Sequence, residues 1–188
     1  EMDLALDEAL RRLTADAHVA RAFSDAFEAG PSRATLARAL AAYVRRLVLG
    51  DSPVDRFRAG EIEALSDAER AGLWFYESRG GCWRCHSGPN FTDEGFHATG
   101  VGSVDGEPEP GRMAVTGDAA DRGQWKTPSL RGLATSAPYM HDGSLQTLEE
   151  VVEFYRQGGR ASANLDTELA PIEMSPQDAA NLAAFLRA

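Results

Sequence analysis

The chain has 188 residues, of which 43% are hydrophobic, and it is rich in Leu and Ala. This composition predicts one or two helical globular domains with real cores. The net charge of −10 argues against a nucleic-acid-binding protein, because no basic surface exists to neutralise phosphates. No apolar run approaches the roughly 20 residues that span a bilayer, so we expect no membrane span.

Helix signals run along most of the chain. The segments Leu4 to Leu13 and Val19 to Phe27 have the apolar spacing of two amphipathic helices. Capping residues predict the starts of four more helices, at Ser32, Ser66, Thr147 and Ser175. Glycines predict where three of these helices end, at Gly50, Gly80 and Gly158.

Two stretches lack such signals. Residues 50–60 contain a proline and predict a connector between two helical groups. Between Ser87 and Pro128, Gly, Pro, Asp and Ser dominate and no periodicity persists. A loop of this length within a domain is typical of one that wraps or lines a ligand. No strand pattern of useful length is present.

The two cysteines give the most specific signal. Cys82, Cys85 and His86 fit the pattern C-x-x-C-H, which is the attachment signature of c-type haem. Two thiols on one tight turn can reach the two vinyl groups of a porphyrin, and the adjacent histidine is then delivered to the iron. Because such haem is attached outside the cytoplasm, we expect a periplasmic protein.

Three other interpretations of the cysteines are weaker. A zinc site would need two further ligands, but the chain has no other cysteine, and the remaining histidines, His18, His97 and His141, are scattered. A redox pair would favour a βαβ setting, whereas a helix and a loop surround this motif. A disulfide at this spacing would close a very short loop and stabilise little.

The pattern alone leaves the other face of the iron open. The candidate sixth ligands are the side chains that can bind iron, namely Met113, Met140, Met174, His97, His141 and Tyr155. Tyr155 lies on a helical stripe with Leu148 and Val152, and its alternative role is that of a core aromatic.

A family resemblance rests on longer stretches. The segments "GCWRCHSGPNFTDEGFHATGVG" and "WKTPSLRGLATSAPYMHDGSLQTLEEVVEFYRQGG" resemble the C-terminal half of bacterial di-haem cytochrome c peroxidases and MauG proteins. The opening "EMDLALDEAL" resembles the mid-chain segment of that family. The resemblance implies an all-α fold with a cytochrome c-like haem domain and long irregular loops at 53–188. It implies that 1–52 form the helical tail of an N-terminal haem domain that is otherwise absent.

The resemblance also implies roles for the haem ligands. Cys82, Cys85 and His86 would hold the six-coordinate electron-transfer haem of the family. The position after "HDGS" that supplies the distal ligand falls on Tyr155, where the peroxidases have Met and MauG has Tyr. A thioether ligand raises the reduction potential, whereas a phenolate lowers it.

Further positions match the family less specifically. The backbone carbonyls of Ser136 and Pro138 match positions that hold a calcium ion near the interface of the two domains. Glu1 matches a glutamate that overhangs the peroxide-reacting haem and would help move a proton during O–O cleavage.

Side chains near the haem and its propionates would be Lys126, Arg131 and His141, for which ordinary surface or loop hydrogen bonding is the alternative. Trp83 and Trp125 would relay electrons, or else serve in packing.

The resulting functional prediction is part of a periplasmic di-haem c-type peroxidase. The intact enzyme would reduce hydrogen peroxide or use it to oxidise a protein substrate. We expect one covalent haem c in this chain and a second in the absent half, so the chain alone should not be a competent peroxidase. A small cytochrome c or a cupredoxin would supply electrons. The alternative is a mono-haem cytochrome c that only carries electrons.

Overall fold

A computed structural model describes residues 4–188, so Glu1 and its predicted acid–base role lie outside the described residues. The chain forms two compact units, the first ending at Val48 and the second running from Leu49 to Ala188. This division lies near the predicted boundary after residue 52. The assignment of the two parts to two haem domains stays a prediction.

The first unit contains three helices, which are α1 (Leu6–Ala15), α2 (Ala17–Phe27) and α3 (Arg33–Val44). The predicted cap is confirmed, since the Ser32 hydroxyl accepts from the backbone N–H of Thr35. The predicted end at Gly50 is wrong. The helix tightens after Val44, where Leu47 N–H donates to the Val44 carbonyl in a three-residue turn.

The second unit has five helices and a two-stranded ribbon. They are α4 (Pro53–Arg58), α5 (Asp67–Glu77), β1 (Phe96–His97), α6 (Met113–Thr116), β2 (Trp125–Lys126), α7 (Leu148–Arg156) and α8 (Pro176–Arg187). The strands are antiparallel, with Phe96 opposite Lys126. None of the helices within residues 4–188 is both long enough and apolar enough to cross a membrane.

The predicted caps of the second unit are confirmed. Ser66, Thr147 and Ser175 each accept a hydrogen bond from the backbone three residues on, and the side chain at that third position bonds back to the cap. The prediction of a connector at 50–60 is wrong, because Ser52 and Asp55 make the same reciprocal arrangement and Pro53 occupies the first turn of α4.

The core of the second unit lies where α5 crosses α8. A β-carbon at Gly72 would lie 2.1 Å from the carbonyl oxygen of Asn181, so the two backbones meet at this glycine. The apolar face predicted for the last helix is confirmed, with Leu182 and Phe185 buried and Leu186 packed against the core. The loop from 87 to 128 is largely irregular, as predicted, and the fold is all-α.

Candidate haem site

The cysteines lie on a tight turn that follows α5. Gly81 adopts a left-handed conformation with φ 65°, and Cys82–Arg84 form a single 3-10 turn. The backbone N–H of His86 donates to the Cys82 carbonyl at 2.9 Å. The two thiols are not joined in a disulfide. Burial raises the pKa of each to about 11, so both are protonated at neutral pH.

His86 is held by hydrogen bonds at its ring and at its backbone. Its Nδ1 lies 3.0 Å from the carbonyl oxygen of Phe91. Since a carbonyl can only accept, Nδ1 carries the proton and Nε2 keeps its lone pair. Burial lowers the pKa of His86 and favours the neutral ring, and this outweighs the opposing effect of the Phe91 and Pro128 carbonyls. The Tyr76 hydroxyl donates to the His86 carbonyl. The imidazole is therefore presented as a neutral ligand with a fixed tautomer.

Tyr155 lies on the helix whose buried face packs against the same hydrophobic core as Cys82. It is carried by α7, whose residues Leu148 and Val152 are buried at 3% exposure each. Burial and the neighbouring thiols of Cys82 and Cys85 raise the pKa of Tyr155 to about 12. The fold thus brings the predicted distal ligand close to the turn that carries His86, although these segments are far apart in sequence.

The methionine candidates occupy three different settings. Met174 packs against the hydrophobic core just before α8. Met113 is the first residue of α6. Met140 lies in the loop before α7 with a left-handed φ of 69°. The choice of Tyr155 over these residues stays a prediction.

Both ring nitrogens of His97 are engaged by carboxylates. Nδ1 lies 2.6 Å from an Asp166 oxygen, and Nε2 lies 3.0 Å from an Asp93 oxygen. Potential ligand atoms of Cys85, Asp93 and His97 lie within 4.8 Å of one another. Because His97 would have to give up a carboxylate to bind a metal, this cluster is poorly suited to zinc and His97 is poorly suited to haem iron.

Arg131 makes a three-point contact in the structure. Its two terminal nitrogens each donate to an Asp55 carboxylate oxygen at 2.8 Å, and Nε donates to the Pro89 carbonyl at 2.8 Å. The pKa of Asp55 is held well below its usual range, chiefly by hydrogen bonding to this guanidinium. The predicted role of Arg131 beside the haem propionates stays a prediction.

Two other predicted haem neighbours pair with glutamates. Lys126 Nζ lies 2.6 Å from a Glu94 oxygen. His141 Nε2 lies 3.1 Å from a Glu109 oxygen, and its ring stacks on Trp125 with 3.9 Å between centroids. These contacts agree with the alternative of ordinary hydrogen bonding and leave the haem roles as predictions.

The remaining predicted residues are exposed. Trp83, between the two cysteines, is 48% exposed. Ser136 and Pro138 lie in an exposed segment, which is bridged by the Tyr139 hydroxyl donating to the Leu133 carbonyl at 2.8 Å. Their predicted calcium role stays a prediction.

Sequence reasoning missed three residues that support the site. Tyr76 and Phe91 hold His86, and Asp55 holds Arg131. Asp55 had a local signal, because it completes the Ser52 capping box. Tyr76 and Phe91 had no local signal. Their hydrogen bonds involve the backbone carbonyls of His86 and Phe91, which only the fold brings into reach.

The donor chemistry of this site fits haem c. Two thiols on one turn and a neutral histidine next to them are the donors that such a group requires. This arrangement indicates a covalently bound redox cofactor.

Comparisons with known proteins agree with this geometry. The family model described as "Di-haem cytochrome c peroxidase" matches residues 1–63. Methylamine utilization protein MauG of Methylorubrum extorquens is 37% identical over 188 residues, which cover 99% of this chain and 53% of that protein. Cytochrome-c peroxidase IdrP2 of Denitromonas iodatirespirans is 36% identical over 172 residues, covering 78% of this chain and 46% of that protein.

A solved structure gives the same result. The crystal structure of a MauG-like protein associated with microbial copper homeostasis superposes with a TM-score of 0.80 and 35% identity, covering 96% of this chain and 61% of that one. The chain therefore belongs to the di-haem cytochrome c peroxidase and MauG family, whose cofactor is haem. It spans about half the length of the curated relatives it matches.

Proposed function

We propose that this chain carries the six-coordinate electron-transfer haem c of a di-haem peroxidase of the MauG-like branch. Cys82 and Cys85 would hold the haem through thioether bonds to its vinyl groups, and His86 and Tyr155 would bind its iron. The observation that carries the proposal is geometric: Cys82 packs against the same hydrophobic core as Val152, which lies one turn before Tyr155 on α7. When bound, the haem supplies one-electron redox chemistry.

The residues around His86 prepare it as a ligand. The Phe91 carbonyl accepts the Nδ1 proton and fixes the tautomer, and the Tyr76 hydroxyl restrains the backbone of the histidine. A hydrogen-bonded Nδ1 makes the other ring nitrogen a stronger donor. These contacts support a ligand whose orientation is set before the cofactor is attached.

Tyr155 would set the reduction potential. Because the pKa of Tyr155 is about 12, its phenol loses the proton at neutral pH only when a cation binds the oxygen. A phenolate ligand stabilises ferric iron and lowers the potential. This suits oxidation of a protein side chain better than simple delivery of electrons to peroxide.

The wider activity is proposed by analogy with the relatives, which are named as MauG and cytochrome c peroxidases. The intact enzyme would reduce hydrogen peroxide, or use it to oxidise a protein substrate, with a second haem c and in the periplasm. A small cytochrome c or a cupredoxin would be its electron donor, and the net charge of −10 favours a basic partner. Calcium would bind at the carbonyls of Ser136 and Pro138.

Two measurements test the proposal. Haem that stays with the denatured chain would establish covalent attachment, and its absence would overturn the haem assignment. The ferric absorption spectrum is then compared between wild type and Tyr155→Phe. We expect a clear change in the variant. A methionine-to-iron charge-transfer band in the wild type, or an unchanged variant spectrum, would contradict the role of Tyr155.

The matched control is Tyr139→Phe. It also removes one phenol hydroxyl, but that hydroxyl donates to the Leu133 carbonyl, and the variant should therefore leave the spectrum unchanged.

A further inference from the structure

We infer that Arg131 and Asp55 act as a positioning pair for His86. Together they hold the turn 88–91 in the conformation from which the Phe91 carbonyl accepts the Nδ1 proton of the histidine. The inference rests on the proposed function, because it takes His86 as the haem ligand. It also assigns Arg131 a role at the loop rather than at the propionates.

The acceptor residue is conformationally strained. Phe91 has a φ of 51°, in the left-handed region that a bulky residue rarely adopts. Such a conformation costs on the order of 1 kcal/mol and persists only where surrounding contacts hold it. In this conformation the Phe91 carbonyl lies 3.0 Å from His86 Nδ1.

Contacts on the Phe91 ring oppose this strain. The ring is 7% exposed and meets the Tyr76 ring edge-on at 6.2 Å between centroids. The guanidinium carbons of Arg58 and Arg131 lie 5.0 and 5.5 Å from its centroid, within the range of cation–π attraction. Two cations and one aromatic ring therefore restrain the side chain next to the histidine acceptor.

Arg131 also bonds the backbone of the same turn. Its Nε donates to the Pro89 carbonyl, two residues before Phe91, while both terminal nitrogens bind Asp55. The Arg131 side chain is only 14% exposed. Three directed donors in one plane are a property of arginine that lysine lacks.

Asp55 supplies a fixed anchor for this contact. It lies on α4, where it also bonds the backbone of Ser52. The preceding residue, Val54, is 4% exposed and belongs to the hydrophobic core. Arg131 thus connects a helix fixed in the core to the turn that supplies the acceptor for His86.

The strength of the Nδ1 hydrogen bond affects the ligand. A histidine that donates a good hydrogen bond is a stronger electron donor to the metal. If the turn relaxes and this bond weakens, ferric iron is less stabilised and the midpoint potential rises. Positioning and simple electrostatics can therefore be separated by the direction of the change.

The experiment measures the midpoint potential of haem-loaded wild type, Arg131→Gln, Asp55→Asn and the double variant. Loss of the Arg131 charge alone would lower the potential, and loss of the Asp55 charge alone would raise it. If the pair positions His86, both single variants raise the potential, and the double variant raises it as well. The control is Arg11→Gln, which breaks a bidentate pair with Glu8 in the first unit and should change nothing.

Three results would overturn the inference. Shifts of opposite direction in the two single variants would show a through-space charge effect or direct contact of Arg131 with a propionate. Unchanged potentials with lower thermal stability would show a purely structural ion pair. A wild-type chain that holds no covalent haem would overturn both this inference and the proposed function, whereas the first two results leave the proposed function intact. Arg131→Lys, which keeps the charge, should still raise the potential.

Discussion

The His86 side and the Tyr155 side of the site are built by different means. His86 is fixed by directional hydrogen bonds to Phe91 and from Tyr76. Tyr155 is half-buried on helix α7, and its raised pKa reflects burial and the thiols of Cys82 and Cys85, with no hydrogen bond to its hydroxyl from residues 4–188.

This difference bears on how the family can change its chemistry. The His86 side depends on contacts between separate segments, such as Arg131 and Asp55, which lie 76 residues apart. Substituting one of these residues leaves the other without its ion-pair partner. The proposed ligand Tyr155 occupies one position on an amphipathic helix, where a single substitution would exchange it for another side chain without altering the fold. We therefore expect the potential to be tuned at position 155 and ligand geometry to be preserved at His86.

The largest expected effect is loss of the cofactor. Cys82→Ser with Cys85→Ser should abolish covalent haem attachment, because a hydroxyl does not form the thioether bond. Each single variant should keep one bond. The measurement is the haem absorbance and mass that remain with the denatured chain. Trp83→Phe, inside the same turn, is the control and should retain both bonds. Covalent haem in the double variant would contradict the proposed attachment through Cys82 and Cys85.

The second effect is on the frame that supports the His86 side. Gly72→Ala should lower the free energy of unfolding by about 2–3 kcal/mol, since the new methyl group would meet the Asn181 backbone at the crossing of α5 and α8. Tyr76 lies one turn further along α5, so the change should also disturb the His86 carbonyl contact. Urea unfolding of the haem-loaded protein measures the loss.

Gly50→Ala is the matched control. Gly50 lies in the same unit and has no atom within 4 Å of its would-be β-carbon, so the change should stay within about 0.5 kcal/mol. Equal losses in both variants would show that the crossing does not require a glycine.

The sequence predicted features that depend on neighbouring residues and missed those that depend on contacts between distant segments. Local signals were sufficient for the caps at Ser66 and Ser175 and for the C-x-x-C-H turn, because each depends on residues a few positions apart. The early end of α3 and the pairing of Asp55 with Arg131 were not predictable. They depend on turn geometry and on contacts between distant segments, for which a single sequence carries no periodic signal.

A smaller loss of stability is expected when either of two tyrosine hydroxyls is removed. Tyr76→Phe should cost about 1 kcal/mol, because it removes a hydroxyl that donates to the His86 carbonyl from a ring that is 1% exposed. Tyr139→Phe removes a hydroxyl bound to the Leu133 carbonyl away from His86, at a half-buried position where solvent can replace it more easily. Chemical denaturation should therefore give the larger loss for Tyr76→Phe. A larger loss for Tyr139→Phe would contradict the importance of the Tyr76 contact for the His86 side.

The smallest expected effect depends on pH and concerns the contact of His97 with Asp93 and Asp166. Burial opposes the charge on His97, but the two carboxylates outweigh it and raise its pKa above the ordinary 6.5. This stabilisation is fully present below pH 6.5 and is lost as the pH rises through the folded-state value. Hydrogen bonds, chiefly from His97, outweigh burial and lower the pKa of Asp93 from 3.8 to about 2, so its contribution is lost as the pH falls through that range.

His97→Gln should therefore destabilise most between about pH 4 and 6.5, by about 1 kcal/mol, and least at alkaline pH, where His97 is neutral in both states. Thermal unfolding across this range measures the difference from wild type. His18→Gln, at an exposed position of α2, should run parallel to wild type. His97 connects β1, after the cysteine turn, to the segment around Asp166. A loss of stability that does not depend on pH would mean that packing and neutral hydrogen bonds, rather than charge, stabilise this contact.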